Sequence, residues 1–269
     1  MMKKQLIFGF LMLLFLSGCY EPLKGDLFDE YLKSVVIEAK ISSQEPPYIV
    51  YVSFTAPPDG VLDFIPVNDA TATISNDSGE KVTAEFVEAG KYSITNWTVQ
   101  PSNWYHLRVT VEGKVYTADE LMPPFPIIDS FQVNYRTNYV DGNGYYFKLF
   151  IKTKVDTIQY YRAEVWNNGS LYNGYSDLLV FDDSYTNGQF AWTAPYAFAI
   201  GDSATIKLHG ITENMYKYYY GLNRQTTNNF SNIQPPLLNP PSNINKNPMG
   251  YFQVSSVSTI DSVLTNNIQ

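Results

Sequence analysis

The stretch Ser34–Ser42, "SVVIEAKIS", alternates with a period of two. Val35, Ile37, Ala39 and Ile41 fall on one side, Glu38 and Lys40 on the other. Successive side chains of a strand point to opposite faces, so this pattern predicts a half-buried strand. The same period recurs downstream. "YIVYVSF" aligns Tyr48, Val50, Val52 and Phe54, and "ATATIS" aligns Ala70, Ala72 and Ile74 before the turn residues Asn76-Asp77-Ser78-Gly79. Val82, Ala84 and Phe86 follow, then Tyr92 and Ile94, then Tyr105, Leu107, Val109 and Val111, and Val115 and Thr117 after a Glu112-Gly113 turn. Six or seven short strands at this spacing predict a β-sandwich, immunoglobulin-like or prealbumin-like, over residues 31–122.

"MPPFPIID", Met122–Asp129, breaks the pattern. Its three prolines lack ladder donors and stiffen the chain, which marks 123–126 as a linker. Alternation resumes with Phe131, Val133 and Tyr135, turns near Asp141-Gly142-Asn143-Gly144, and continues through Tyr145, Phe147, Leu149 and Ile151. "QYYRAEVW" and "ATIKLHG" read as further strands. In "TENMYKYYYGLNRQT", Met215, Tyr219 and Leu222 recur at helical spacing behind a Thr212 cap, predicting a helix over 213–225. Its cluster Tyr216–Tyr220 cannot all face inward. An Asn- and Pro-rich tail and a last strand near Tyr251–Val257 close the chain. The expected fold is all-β, with two β-sandwich domains: the first at 31–122, the second over 127–269 with one short helix.

The N-terminus has its own logic. Lys3 and Lys4 precede the apolar run Leu6–Leu16, and Ser17-Gly18 stands directly before Cys19, the one cysteine of 269 residues. A charged start, an apolar run too short to span a bilayer and small residues at the end describe a signal peptide, here 1–18. A small-residue pair directly before cysteine resembles the lipobox of bacterial lipoproteins, so Cys19 is expected to become the acylated N-terminus, with 19–30 as a tether. Several acyl chains, at about 0.8 kcal/mol per buried methylene, hold a protein on a membrane. Loss of Lys3 and Lys4 with the leader would take the formal charge from −8 to −10. No basic run exists, which argues against nucleic acid or anionic lipid bound through charge.

The search for chemistry returns little. Gly201-Asp202-Ser203 resembles the serine block of certain esterases, but no Asp stands three residues before either histidine, and a strand-joining turn explains it better. His106 and His209 fall on the polar side of their strands and are expected to face solvent, with no second ligand at metal spacing. Asp141-Gly142-Asn143-Gly144 and Asp182-Asp183 offer oxygen atoms that suit calcium, yet each lacks the rest of a loop, so turns are expected. No metal or cofactor is expected. The aromatic surplus is more suggestive: 22 Tyr, 16 Phe and 4 Trp. Most should fill β-cores. Trp97, Trp104, Tyr172, Tyr175 and Tyr185 lie in or beside loops, where a scaffold commonly holds binding residues.

Two stretches carry a resemblance: "DATATISNDSGEKV" with "GKYSI" and "WYHLRVTVEGKVYTADELMPPFPIIDSF", then "ATIKLHGITENMYKYYYGLNRQT" with "NPPSNINKNPMGYFQVSSVS". In this order they resemble the Bacteroidota outer-membrane lipoproteins grouped as domain of unknown function 4249. Pro241-Ser242-Asn243-Ile244 followed by Gly250-Tyr251-Phe252 is the most specific part. Pro, Ser and Asn in that order form a self-bonded turn and Ile plugs a core, so the motif reads as structural. Lys246-Asn247-Pro248-Met249 stands where such proteins usually carry glycines. The resemblance implies an accessory lipoprotein of a TonB-dependent receptor in nutrient uptake, non-catalytic and anchored in the outer membrane; Glu21 beside the anchor agrees with surface export and favours the cell surface over the periplasmic face. A stand-alone glycan- or peptide-binding lipoprotein is the alternative, and a surface hydrolase with an unrecognised carboxylate pair comes third.

Overall fold

A computed structural model of the chain describes residues 33–56, 64–172, 178–186, 188–227 and 239–265. Residues 1–32, which include the expected leader and tether and Cys19, lie outside the described residues. Among these residues the first half supplies nine strands: β1 (Val35–Ser42), β2 (Tyr48–Thr55), β3 (Phe64–Pro66), β4 (Thr71–Asn76), β5 (Lys81–Thr83), β6 (Glu85–Glu88), β7 (Lys91–Ile94), β8 (Trp104–Val111) and β9 (Lys114–Leu121). The number exceeds the six or seven expected because β3 is too short to show a period and the run Val82–Phe86, read as one strand, divides at Ala84 into β5 and β6. Ile37, Ala39 and Ile41 of β1 and Val50, Val52 and Phe54 of β2 face Ile74 of β4, Leu107 and Val109 of β8 and Ala118 of β9 across one core.

The second half holds β10 (Ile127–Tyr139), β11 (Gly142–Lys152), β12 (Tyr160–Asn167), β13 (Ser170–Leu171), β14 (Leu179–Asp182), β15 (Gln189–Thr193), β16 (Ser203–Ile211), helix α1 (Glu213–Thr227) and β17 (Met249–Val263). A three-stranded sheet, β10-β11-β15, packs Phe147, Leu149 and Ile151 against Tyr161 and Val165 of β12 and Ile206 and Leu208 of β16. The protein is all-β, built from immunoglobulin-like sandwiches, with one helix among the described residues.

β17 joins the two halves. Its first part lies parallel to β1, with Ile37↔Gly250, Ala39↔Phe252 and Ile41↔Val254 in register. Its second part runs antiparallel to β16, from Ser256↔Gly210 to Val263↔Ser203. One ten-stranded sheet therefore crosses the molecule in the order β13-β12-β16-β17-β1-β2-β7-β6, with β14 on β12 and β3 on β2. The sequence division at the prolines assigned all of 127–269 to the second half, whereas Ile244, Phe252 and Val254 are buried in the core of the first. Periodicity tells which side of a strand is buried, not which core receives it. Gly250 explains the entry of β17. Its φ is +95°, and a Cβ there would stand 2.1 Å from the carbonyl oxygen of Ile37.

Helix α1 lies on the outer face of this sheet. The Thr212 hydroxyl accepts from the Met215 amide at 3.2 Å, the N-cap bond expected from the sequence. Met215, Tyr218 and Tyr219 are buried beside Ile211 and Tyr251, while Tyr220 is exposed, so the tyrosine cluster divides between core and surface.

Candidate functional site

The aromatic residues singled out from the sequence do not converge. Trp97 packs against the first core, edge-on to Tyr105 at 5.7 Å. Trp104 opens β8 and is exposed, and Tyr185 stands fully in solvent in a turn after β14. Tyr172 lies flat on Tyr196, ring centres 4.0 Å apart, which uses both π-faces within the fold. Tyr175 lies outside the described residues. Two of the four described rings serve packing, and the two exposed ones belong to different sandwiches.

An open groove lies elsewhere, on the outer face of the ten-stranded sheet. Because Val50, Val52 and Phe54 of β2 face the core, Tyr51, Ser53 and Thr55 must face outward. β3 pairs along β2 with Thr55↔Phe64 in register, which sets the Phe64 ring beside them. Val36 and Glu38 of β1 line the other flank, and the volume is about 450 Å³. Tyr51 is 46% and Phe64 49% exposed. One end is closed by the hairpin at Ala89-Gly90. A Cβ on Gly90 would meet the Val52 carbonyl oxygen at 2.4 Å, so only glycine lets that turn close down. Two aromatic rings with a carboxylate and the Ser53 hydroxyl beside them can stack on a flat apolar face and hydrogen-bond its rim. Sequence reasoning missed this site, although a large ring at Tyr51, on the polar phase of a strand, was the available signal.

The motif residues close the seam between the halves. The Ser242 hydroxyl donates to the Gly250 carbonyl at 2.7 Å, and Asn243 Oδ1 accepts from the Phe252 amide at 2.9 Å. Asn243 Nδ2 donates to the Phe252 carbonyl at 2.9 Å and to Glu120 at 2.7 Å. Tyr251 and Thr212 donate their hydroxyls to the same carboxylate. Glu120 thus joins β9, the helix cap, the motif and β17. Burial pushes its carboxyl upward, and the three donors pull it back only in part. Ile244 is buried in the first core, while Pro241 at the head of the motif is exposed. Lys246 and Asn247 both adopt left-handed backbone, φ 63° and 57°, which accounts physically for a preference for glycine there.

The histidines part ways. His106 is half-exposed between two carboxylates, Asp119 at 2.6 Å from Nδ1 and Asp77 at 2.8 Å from Nε2, and these bonds hold its pKa above the usual value. The two acids grip opposite ring nitrogens, a staple rather than a chelate. His209, expected to face solvent, is instead buried, because the outer face of β16 lies under cover here. Its Nδ1 stands 3.0 Å from Ser255 Oγ and its Nε2 3.6 Å from Glu164. Burial, with Arg162 and Lys40 adding to it, keeps the ring below its ordinary pKa against the pull of Glu164. For Glu164, burial works upward, but His209, Arg162 at 2.7 Å and Lys40 outweigh it and hold the carboxyl well below the usual range. Serine, histidine and glutamate in a row suggest a nucleophilic triad. Ser255 is only 3% exposed, however, and 3.6 Å is beyond a hydrogen bond, so the row acts as a buried brace.

The turn candidates are occupied by the chain's own donors. Asp202 of the Gly201-Asp202-Ser203 turn accepts from the Ala199 amide at 2.8 Å and from Asn168 at 2.8 Å, which lowers its pKa. Asp141 accepts from the Ala197 amide, Asn143 from the Asn138 amide, and Asp183 from the Gln159 amide, while Asp182 accepts from Ser184.

Sandwiches sharing one continuous sheet, with Glu120, Glu164 and His209 turned inward and an aromatic groove left open, define an immunoglobulin-like β-scaffold. The chain belongs to the family described as domain of unknown function (DUF4249), whose model matches residues 20–261. Among solved structures it is similar to a two fibronectin type-III domain segment from chicken tenascin, at 10% identity over 67% of this chain and 91% of that one, with a TM-score of 0.22. It is also similar to a pullulanase complexed with maltotriose from Anoxybacillus sp. LM18-11, at 11% identity over 64% of this chain and 24% of that one, with a TM-score of 0.20. Neither likeness is strong enough to carry an argument. No curated protein sequence matches the chain.

Proposed function

We propose that this chain is a non-catalytic lipoprotein of the outer membrane, anchored through Cys19, that serves as an accessory of a TonB-dependent receptor and helps capture its cargo. The observation that carries the capture role is the groove between Tyr51 and Phe64, which leaves two aromatic rings open to solvent on the outer face of the ten-stranded sheet. The anchor rests on the Leu16-Ser17-Gly18-Cys19 sequence behind an apolar leader. The receptor partnership rests on the resemblance of the sequence alone, and the cell-surface position on Glu21 beside the anchor.

The test is a gentle detergent pull-down of the tagged, full-length protein from its native membrane, with Cys19→Ala as the control that loses the anchor. Recovery of a stoichiometric TonB-dependent receptor with the anchored form alone supports the reading. Recovery of the protein by itself ends the receptor half of it. The alternative, a stand-alone glycan- or peptide-binding lipoprotein, is favoured by the same groove, because rings beside a carboxylate and a hydroxyl suit a sugar ring or an extended peptide. Glycan and peptide arrays on the wild type and on Tyr51→Ala with Phe64→Ala separate the two, since binding in the absence of any receptor belongs to the alternative.

A further inference from the structure

β10 is the longest strand of its sheet and lies at its edge: among the described residues it pairs with β11 alone. Along a strand of thirteen residues at a sheet edge, the residues whose amides and carbonyls point away from β11 form a template for another strand. The regular part of the ladder runs from Ser130 to Arg136, bounded on each side by an irregularity, between Ile128 and Ser130 and between Arg136 and Tyr139. Within it Phe131 and Tyr135 are 40% and 57% exposed on one face, resting on Phe147 and Tyr145 of β11. Gln132 and Asn134 are exposed on the other.

We propose that this edge pairs with the same edge of a second copy, antiparallel about a two-fold axis at Val133. That axis is the midpoint of the regular stretch, so all seven residues find partners. Phe131 then lies opposite Tyr135 of the second copy, twice over, and Gln132 opposite Asn134, both favourable cross-strand pairs. Charge allows it. Asp129 is already paired with Lys152 at 3.0 Å, the Arg136 guanidinium lies over the Tyr139 ring, and the pairing sets Arg136 opposite Ser130, so no like charges meet on a chain of net charge −8. A foreign strand would have no reason to match a register centred between two bulges, whereas a copy of the strand matches it by symmetry. The result is a six-stranded sheet across the dimer. This dimer does not depend on the receptor or cargo reading.

The experiment is Val133→Cys in the full-length protein in its native membrane, followed by mild oxidation and non-reducing electrophoresis. Opposed residues in an antiparallel pair have Cα atoms about 4.5–5.5 Å apart, within reach of a disulfide. Cys19 is the sole native cysteine, and the wild type controls for it. The expected result is a dimer band several times stronger than that from Tyr185→Cys, an exposed site elsewhere. A dimer band no stronger than that control overturns the proposal, and so does a Val133→Cys adduct with a different protein. Phe131→Cys combined with Tyr135→Cys, which also face each other across the axis, keeps the test open if Val133→Cys folds poorly.

Discussion

The outer face of the ten-stranded sheet is two surfaces in one. Over β12, β16 and β17 it is covered, and there lie Arg162, Glu164, His209 and Gln253, with the Tyr219 hydroxyl of the helix bonded to Gln253 at 2.5 Å. Over β1, β2 and β3 the same face is open, and Tyr51, Phe64 and Glu38 line a groove. Glu38 marks the border, since its charge adds to burial in raising the Tyr218 pKa from the helix side. Alternation placed polar and aromatic residues on both parts. What separates structure from opportunity is whether another element covers them.

The covered half should be the intolerant one, and Glu164→Ala is the hardest blow to it. The change leaves Arg162, largely buried, without the carboxylate it pairs with at 2.7 Å. Breaking a buried pair from one side costs about 3–5 kcal/mol. Urea unfolding should show that loss, and a cost below about 1 kcal/mol, the level of a surface pair, would mean that water reaches the cluster. Glu120→Ala should follow, at about 2–3 kcal/mol, because it removes one acceptor from three donors and empties the seam. Glu120→Gln keeps the shape and one acceptor, and should cost less than Glu120→Ala. If the two cost the same, the carboxylate is not what holds the halves together.

The two histidines sharpen the comparison through pH. Folded His209 binds its proton more weakly than the unfolded chain does, so its stability contribution is present above about pH 6.5 and drains as pH falls below it. Folded His106 binds its proton more tightly, so its contribution is present below about pH 6.5 and is lost as pH rises through the raised pKa. The stability curve should therefore fall on both sides of that value. His209→Asn should flatten the acid side and His106→Asn the alkaline side. The acid-side loss from His209 should be the larger in total, because His106 sits in a half-exposed, screened setting.

Much of this scaffold was legible in the residues. The longer strands, the Thr212 cap and the helix follow from local spacing, which the chain states within a few residues, whereas the short β3, β13, β14 and β15 went unread. The destination of β17 does not. Its parallel seat on β1 joins positions more than two hundred residues apart, and nothing within Met249–Val263 says that Phe252 serves the first core while Tyr251 serves the cluster under helix α1. His209 misled for a related reason, since a polar residue on the outward phase of a strand looks exposed until something covers it. The groove escaped because attention to loops passed over Tyr51, a strand residue. Lys246-Asn247 in place of glycine was legible as an oddity and became intelligible only with its left-handed backbone.

The gentlest change asks the most of the open half. Tyr51→Ala and Phe64→Ala remove rings that are about half exposed, so each should shift stability by no more than about 0.5 kcal/mol. The measurement is paired: thermal unfolding for the fold, and glycan- or peptide-array binding for the groove. If the rings are a binding surface, stability holds while any captured ligand is lost. A melting temperature that drops as it does for Glu120→Ala would show instead that the rings belong to the core. The open half would then be covered too, by a partner or by the chain itself, and the contrast between the two halves of the sheet would vanish.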